Sequence, residues 1–142
     1  MLADGLASDL PDDELWRRRT ISRGALVEEI RRRTRESLLA RGRSPAEVGW
    51  ADTMFDPHVL TVGFARRVPS YKRLTLMLRD PDRLRAILLH PQRPVQIVLA
   101  GKSHPADDGG KELIKAMVQF ADDPAVRHRI TFLPDYDMSM AR

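Results

Sequence analysis

The stretch that decides the fold is Val62-Gly63-Phe64-Ala65-Arg66-Arg67-Val68-Pro69-Ser70-Tyr71-Lys72-Arg73. Its first residues are typical of a short apolar β-strand, and a turn then leads into a predicted helix. Four cations fall within eight positions at the start of that helix, in what we call the basic segment (Arg66–Arg73). In α/β proteins, anions bind where a strand ends and a helix begins. Because arginine forks and lysine point charges both suit phosphate oxygens, this pattern predicts a phosphate site.

Two further strands are predicted downstream of the first, which spans His58–Ala65. They cover Pro94–Ala100 and Arg129–Leu133. The near-continuous apolar run of the second strand indicates burial on both faces, as in a parallel sheet. Helices are predicted between the strands, so the order β-α-β-α-β predicts an α/β fold with a partial Rossmann-like parallel sheet. The carboxyl ends of parallel strands share one edge, where ligands bind.

The residues before the sheet predict helices. One helix is expected from Pro11 to about Arg41, with a possible break near Gly24, and Gly42 is expected to end it. Ser44-Pro45-Ala46-Glu47 has the pattern of a capping box before a short helix. Leu26, Ile30, Leu38 and Leu39 are expected to face inward, and the run Arg31, Arg32, Arg33 and Arg35 is expected to face solvent.

Composition sets the broad class of protein. The chain has 142 residues, of which 42% are apolar and 31% charged, enough for one hydrophobic core. It contains no cysteine, which excludes disulfides and thiolate metal sites and fits a cytoplasmic location. No run of apolar residues approaches a membrane span, and the N-terminus lacks the pattern of a signal peptide. The net charge of +4 is spread among acids, so we expect no nucleic-acid partner.

Other motifs fail when their spacing is checked. Gly101-Lys102-Ser103 resembles the end of a P-loop, but Gln96 stands where the first glycine of that motif is required. No pair of histidines has metal-ligand spacing, so no metal site is expected. His104 and Lys102 lie in the loop after the second strand, where contact with a ligand and a structural role are both open. Asp107 and Asp108 precede a predicted helix, and capping is the first explanation for them.

Three segments of the chain resemble the α-glucan (glycogen, starch and maltodextrin) phosphorylases, most of all their shorter bacterial form. The first is Val62–Arg67 with Tyr71-Lys72-Arg73. The second is Pro94–Lys102 with His104-Pro105-Ala106-Asp107, and the third is Phe132–Ala141. The order and spacing of the segments are those of the second Rossmann-like domain of that family. The resemblance covers residues from about Trp50 to Arg142.

The resemblance implies a two-domain glycosyltransferase of the GT-B type with its active site in the interdomain cleft. It implies reversible phosphorolysis of α-1,4-glucan ends, with inorganic phosphate and glucose 1-phosphate as small substrates. Residues 1–56 would be a helical connecting segment, and residues 57–142 the first half of the C-terminal Rossmann-like domain. The sheet would then be incomplete, and its third strand would present an uncovered apolar face. The chain is accordingly expected to be a fragment that is inactive alone.

The resemblance also implies roles for individual residues. Arg67 and Lys72 match the catalytic cations that hold the substrate phosphate beside the phosphate of pyridoxal 5′-phosphate, and Arg66 matches a third basic position. Tyr136, Met138 and Ala141 match residues that line this cofactor. No lysine of the chain matches the one that binds the cofactor covalently.

Two other classes of function stay open from the residues themselves. One is a fragment of a nucleotide-sugar glycosyltransferase similar to glycogen synthase. The other is a free-standing, non-enzymatic basic binding module. A purely structural role for the four cations of the basic segment, such as salt bridges to another domain, also stays open. The oligomeric state cannot be inferred from the sequence.

Overall fold

The computed structural model describes residues 10–65, 76–101 and 106–134. The predicted α/β class and the β-α-β-α-β order are confirmed. The strands begin one or two residues later than predicted, and the last helix, whose sequence pattern predicts Lys111–Ala121, begins three residues earlier. The elements are α1 (Asp12–Ala40), a 3₁₀ helix (Gly49–Asp52), β1 (Leu60–Ala65), α2 (Pro81–Leu88), β2 (Val95–Ala100), α3 (Asp108–Ala121) and β3 (Ile130–Leu133).

The three strands form an open parallel sheet in the order β1-β2-β3. Leu60 lies opposite Val95, and the register continues to Ala65 opposite Ala100. On the other side of β2, Ala100 lies opposite Leu133. Every residue of β2 after Val95 is buried, which confirms the prediction that this central strand is covered on both faces.

One face of the sheet packs against the two connecting helices. Ile97, Leu99 and Ile130 point to this face and form a core with side chains of α2 and α3. Parallel strands require such crossovers, and crossovers of one hand place successive helices on the same face. The helical side chains of this core are Leu84 and Leu88 from α2, and Met117 and Phe120 from α3. The spacing of Leu84, Ile87 and Leu88 predicts that all three face inward, but Ile87 is 45% exposed.

The opposite face of the sheet packs against α1. Val27 and Ile30 are buried there with Val98 of β2 and Leu133 of β3. The expectation that β3 presents an uncovered apolar face is therefore wrong for the described residues. Periodicity in the sequence identifies an apolar stripe on a helix, but it does not identify the surface that the stripe packs against.

Two details of α1 differ from the sequence prediction. The helix continues through Gly24 without a break, because a single glycine weakens a helix without ending it. Its buried residues are Val27, Ile30 and Thr34, whereas Leu26 is 42% exposed. The stripe that faces the sheet is thus one position away from the predicted stripe at its N-terminal end.

The residues that end and follow α1 match the predicted capping chemistry in part: Gly42 ends the helix and Glu47 reaches back to Ser44, but the Ser44 hydroxyl donates to Glu47 and, within the described residues, does not accept from the backbone. Gly42 has φ = +88°, the left-handed conformation that commonly ends helices. The carboxylate of Glu47 then accepts hydrogen bonds from both the backbone N–H and the hydroxyl of Ser44, each at 2.8 Å. The residues after this box form a turn and one 3₁₀ turn, in place of the predicted short helix. None of the helices in the described part of the chain is long and apolar enough to cross a membrane.

Candidate functional site

The carboxyl ends of the three strands lie level at one edge of the sheet. Ala65, Ala100 and Leu133 are neighbours across the strands in the observed register. Each strand is followed in the sequence by one of the three segments that carry the predicted site residues. The described strands therefore supply the shared edge that the sequence predicted for a ligand site.

All of the predicted site residues themselves lie outside the described residues. The catalytic and phosphate-binding positions follow β1, the two possible cleft contacts follow β2, and the three cofactor positions follow β3. Their roles stay predictions. These residues are Arg66, Arg67, Lys72, Lys102, His104, Tyr136, Met138 and Ala141.

The N-terminus of α3 is capped by the carboxylate of the residue that precedes the helix. The side chain of Asp107 accepts a hydrogen bond from the backbone N–H of Gly110 at 2.9 Å, which confirms capping as its role. Asp108, in the first turn, forms an exposed ion pair with Lys111 at 3.7 Å. Two carboxylates thus occupy the positive end of α3. An anion at the carboxyl edge would therefore depend on side-chain cations more than on this helix N-terminus.

A turn before β1 is held by hydrogen bonds to α1, to β2 and to the residues before β3, and these contacts were not predicted from the sequence. We call it the pre-strand turn (Met54–Pro57). Arg31 of α1 donates to the carbonyls of Met54 and Phe55, at 2.8 and 2.9 Å. Gln96 of β2 accepts from the backbone N–H of Asp56 at 3.0 Å and donates to its carbonyl at 2.7 Å. The sequence signals were Asp56-Pro57, which predicts a turn of the chain, and a polar residue inside the apolar run of β2.

The arginine run of α1 is only partly a solvent-facing surface. Arg32 is about half exposed and pairs with Glu29 and Glu36, as expected for neighbours three and four residues apart on a helix. Hydrogen bonds from Arg32 and Arg33 lower the pKa of Glu29 to about 2. Arg31 instead turns toward the pre-strand turn, with its side chain 23% exposed. The prediction that the whole run faces solvent is therefore wrong for Arg31, and also for Arg33, whose side chain is 24% exposed.

An open concavity of about 530 Å³ lies beside the carboxyl end of β3. Its walls are the C-terminal half of α1 and the residues that end β3. Arg33 is held there by Glu29, at 2.6 Å. The other lining residues are Glu36, Ser37, Ala40, Arg41, Leu133 and Pro134. Among the described residues, no group of three His, Cys, Asp or Glu side chains could hold a metal ion.

Comparison with curated proteins finds several phosphorylases that are similar to this chain. A glycogen phosphorylase of Mycobacterium tuberculosis is 68% identical over 128 residues, which cover 90% of this chain and 15% of that protein. A glycogen phosphorylase of Aquifex aeolicus is 43% identical over 136 residues, covering 96% of this chain and 20% of that protein. A maltodextrin phosphorylase of Thermococcus litoralis is 35% identical over 135 residues and is likewise covered to 15%.

The chain therefore spans about 15% to 20% of the length of these relatives. The resemblance to the α-glucan phosphorylases that the three segments predicted is confirmed, and the chain corresponds to one segment of such proteins. No model of a protein family matches the chain. No solved structure matches it significantly.

Proposed function

We propose that this chain, which is homologous to one segment of the glycogen and maltodextrin phosphorylases, supplies the phosphate-binding part of an α-glucan phosphorylase active site. The reaction of the whole protein would be phosphorolysis of α-1,4-glucan ends to glucose 1-phosphate. Arg67 and Lys72 would hold inorganic phosphate, and Arg66 would add a third positive charge. The glucan would be bound mainly by parts of the protein that this chain does not include.

The observation that carries the proposal is the common edge formed by Ala65, Ala100 and Leu133. The basic segment leaves this edge directly after Ala65. In the sequence, β2 is followed by Lys102 and His104, and β3 is followed by Tyr136. A parallel sheet brings segments that are far apart in the sequence to one edge, so the three segments that carry these residues all begin at the carboxyl edge of the sheet.

The chemistry of the basic segment suits two phosphate groups held close together. Like charges in a site of low dielectric repel strongly, and the repulsion at about 4 Å is roughly 4 kcal/mol per pair of unit charges even at an effective dielectric of 20. Fixed cations offset this repulsion in both the bound state and the transition state. The carboxylates that cap α3 cannot do so, whereas the cations of the basic segment carry the charge that is required.

Pyridoxal 5′-phosphate is the cofactor that the proposed family membership implies. The cationic donor set of Arg66, Arg67 and Lys72 fits the phosphate of this group, and Tyr136 and Met138 would contact the rest of it together with Ala141. When bound, the cofactor would supply a phosphate that exchanges a proton with the substrate phosphate. This chain has no lysine that matches the covalent attachment site, so its own residues would bind and orient phosphate and would not anchor the cofactor.

The test uses the full-length M. tuberculosis glycogen phosphorylase in which the matching segment is replaced by this chain. Arg67→Ala and Lys72→Ala should each lower kcat/KM for phosphate by about 10²- to 10³-fold, the cost of removing one preorganised charge-stabilising group. Arg83→Ala removes an exposed cation of α2 and serves as the matched control. Near-normal turnover of the Arg67 and Lys72 variants would contradict the proposal.

The isolated chain gives a second test. It should release no glucose 1-phosphate from glycogen and form no Schiff-base absorbance with pyridoxal 5′-phosphate, because the attachment lysine and the glucan contacts lie elsewhere. Measurable release would show that the chain is complete for catalysis and would refute its proposed role as one part of a site. A cytoplasmic location stays a prediction that rests on the cysteine-free sequence.

A further inference from the structure

The backbone of the pre-strand turn is held by side chains and backbone groups from three directions. Arg31 donates to the carbonyls of Met54 and Phe55, and the Gln96 side chain binds both the backbone N–H and the backbone carbonyl of Asp56. The backbone N–H of Phe55 donates to the carbonyl of His128 at 3.0 Å, and Arg23 donates to the carbonyl of Pro57 at 3.1 Å. The turn is thus tied to α1, to β2 and to the residues just before β3.

The side chain of Gln96 also fixes how β1 lies along β2. It is fully buried, and its Nε2 donates to the hydroxyl of Thr61 at 2.8 Å as well as to the carbonyl of Asp56. Thr61 is the residue directly opposite Gln96 in the sheet. A slip of one residue would break these bonds and move the strand end by about 3.3 Å.

The conformation of Phe55 indicates that the turn is held under constraint. Its φ is +61°, a left-handed value that costs a residue with a β-carbon roughly 1–2 kcal/mol. The Phe55 side chain is buried beneath α1, with 4% of its surface exposed. A non-glycine residue keeps such a conformation when surrounding contacts determine it, and here Arg31 and the carbonyl of His128 hold both of its backbone polar groups.

We propose that Arg31 and Gln96 are positioning residues for phosphate binding, because they fix the axial position of β1 and hence the point from which the basic segment begins. This inference rests on the proposed function of that segment. β1 spans about 17 Å from Leu60 to Ala65, so Arg31 and Gln96 act at the end of the strand opposite the basic segment. Accuracy matters at such a site, because a misplacement of 1 Å can cost on the order of 10²-fold in rate.

The test compares neighbouring arginines in the full-length M. tuberculosis protein that carries this chain. Arg31→Met should raise the KM for phosphate at least about tenfold and leave the KM for glucan unchanged. Arg32→Met, whose side chain forms only exposed ion pairs on the helix, should change neither. Arg31→Lys keeps a donor for the carbonyls and should restore part of the loss. Equal effects of the Arg31 and Arg32 variants would overturn the proposal.

A double-mutant cycle separates positioning from general destabilisation. If Arg31 acts through the basic segment, then Arg31→Met should have a smaller effect on the KM for phosphate in an Arg67→Ala background than in the parent chain. Additive effects would overturn the proposal. Normal kinetics of Arg67→Ala alone would instead refute the proposed function of the basic segment.

Hydrogen exchange of the isolated chain supplies a readout that does not depend on catalysis. The backbone amides of β1 should exchange at least tenfold faster in Arg31→Met than in Arg32→Met, while the amides of α3 exchange equally in both. Thr61→Val removes only the hydroxyl that Gln96 binds, so it should increase the exchange rate of the β1 amides by a smaller, measurable amount. This milder variant supplies the measurement if Arg31→Met prevents folding. Unchanged β1 exchange in both Arg31→Met and Thr61→Val would overturn the positioning role.

Discussion

Replacing Gln96 with leucine should lower the stability of the fold by about 2 kcal/mol. The side chain is fully buried and makes three hydrogen bonds, two to the backbone of Asp56 and one to Thr61. Leucine would leave the backbone N–H of Asp56 without its partner, and such an unpaired group costs roughly 1–3 kcal/mol. The carbonyl of Asp56 keeps one bond, from the N–H of Val59 at 3.1 Å, which limits the loss. The gain from burying an apolar side chain of similar size offsets a further part.

Urea unfolding followed by circular dichroism measures this loss. For a slope of about 2 kcal/mol per M, the midpoint should fall by about 1 M. In a thermal melt, a loss of this size should lower the Tm by roughly 4–8 °C for a chain of this length. Gln92→Leu is the matched control, because Gln92 is exposed and its side chain makes no hydrogen bond among the described residues. An unchanged midpoint for Gln96→Leu would refute the idea that this side chain locks β1 to β2.

Three further comparisons test the fold. Gly24→Ala should raise stability by about 1 kcal/mol, since alanine favours the helix and its methyl group would meet open space. Gly42→Ala should lower stability by about 1 kcal/mol because Gly42 has a positive φ. The changes in the free energy of unfolding, measured in urea, must have opposite signs. Leu88→Ala should cost about 2–5 kcal/mol, and Ile87→Ala much less, so equal losses would contradict the observed orientation of α2. Burial, and then the neighbouring arginines, lower the pKa of His128 from 6.5, so the unfolded chain binds the proton more readily and stability should fall as the pH drops through 6.5. His128→Gln should remove this part of the pH dependence, and an identical pH profile would count against it.

The sequence predicted the elements of the sheet well because their signals are local. The apolar run of β2 and the glycine at the end of α1 each follow from the chemistry of a few adjacent residues. The family resemblance was also readable from short segments, because it depends on residue identity and spacing. The positions of the helix ends were less accurate, since end residues are weakly determined by local preference.

Contacts between distant parts of the chain could not be predicted in the same way. The sequence assigned the whole arginine run of α1 to solvent, yet Arg31 binds the pre-strand turn more than twenty residues away. In the sequence analysis, Gln96 was noted only because it stands where a P-loop motif requires glycine. In each case the role depends on which surface lies opposite, and residue spacing carries no information about that surface.

The sequence by itself determined the class of fold, the order of strands and helices along the chain, and the similarity to the α-glucan phosphorylases. These properties depend on propensity, periodicity and motif spacing, which act over short stretches of chain. Only the tertiary structure decided that α1 covers the second face of the sheet and that Arg31 and Gln96 hold the turn before β1. Buried polar groups must find partners wherever the fold brings them, and that choice exists only once helix, turn and strand have packed together.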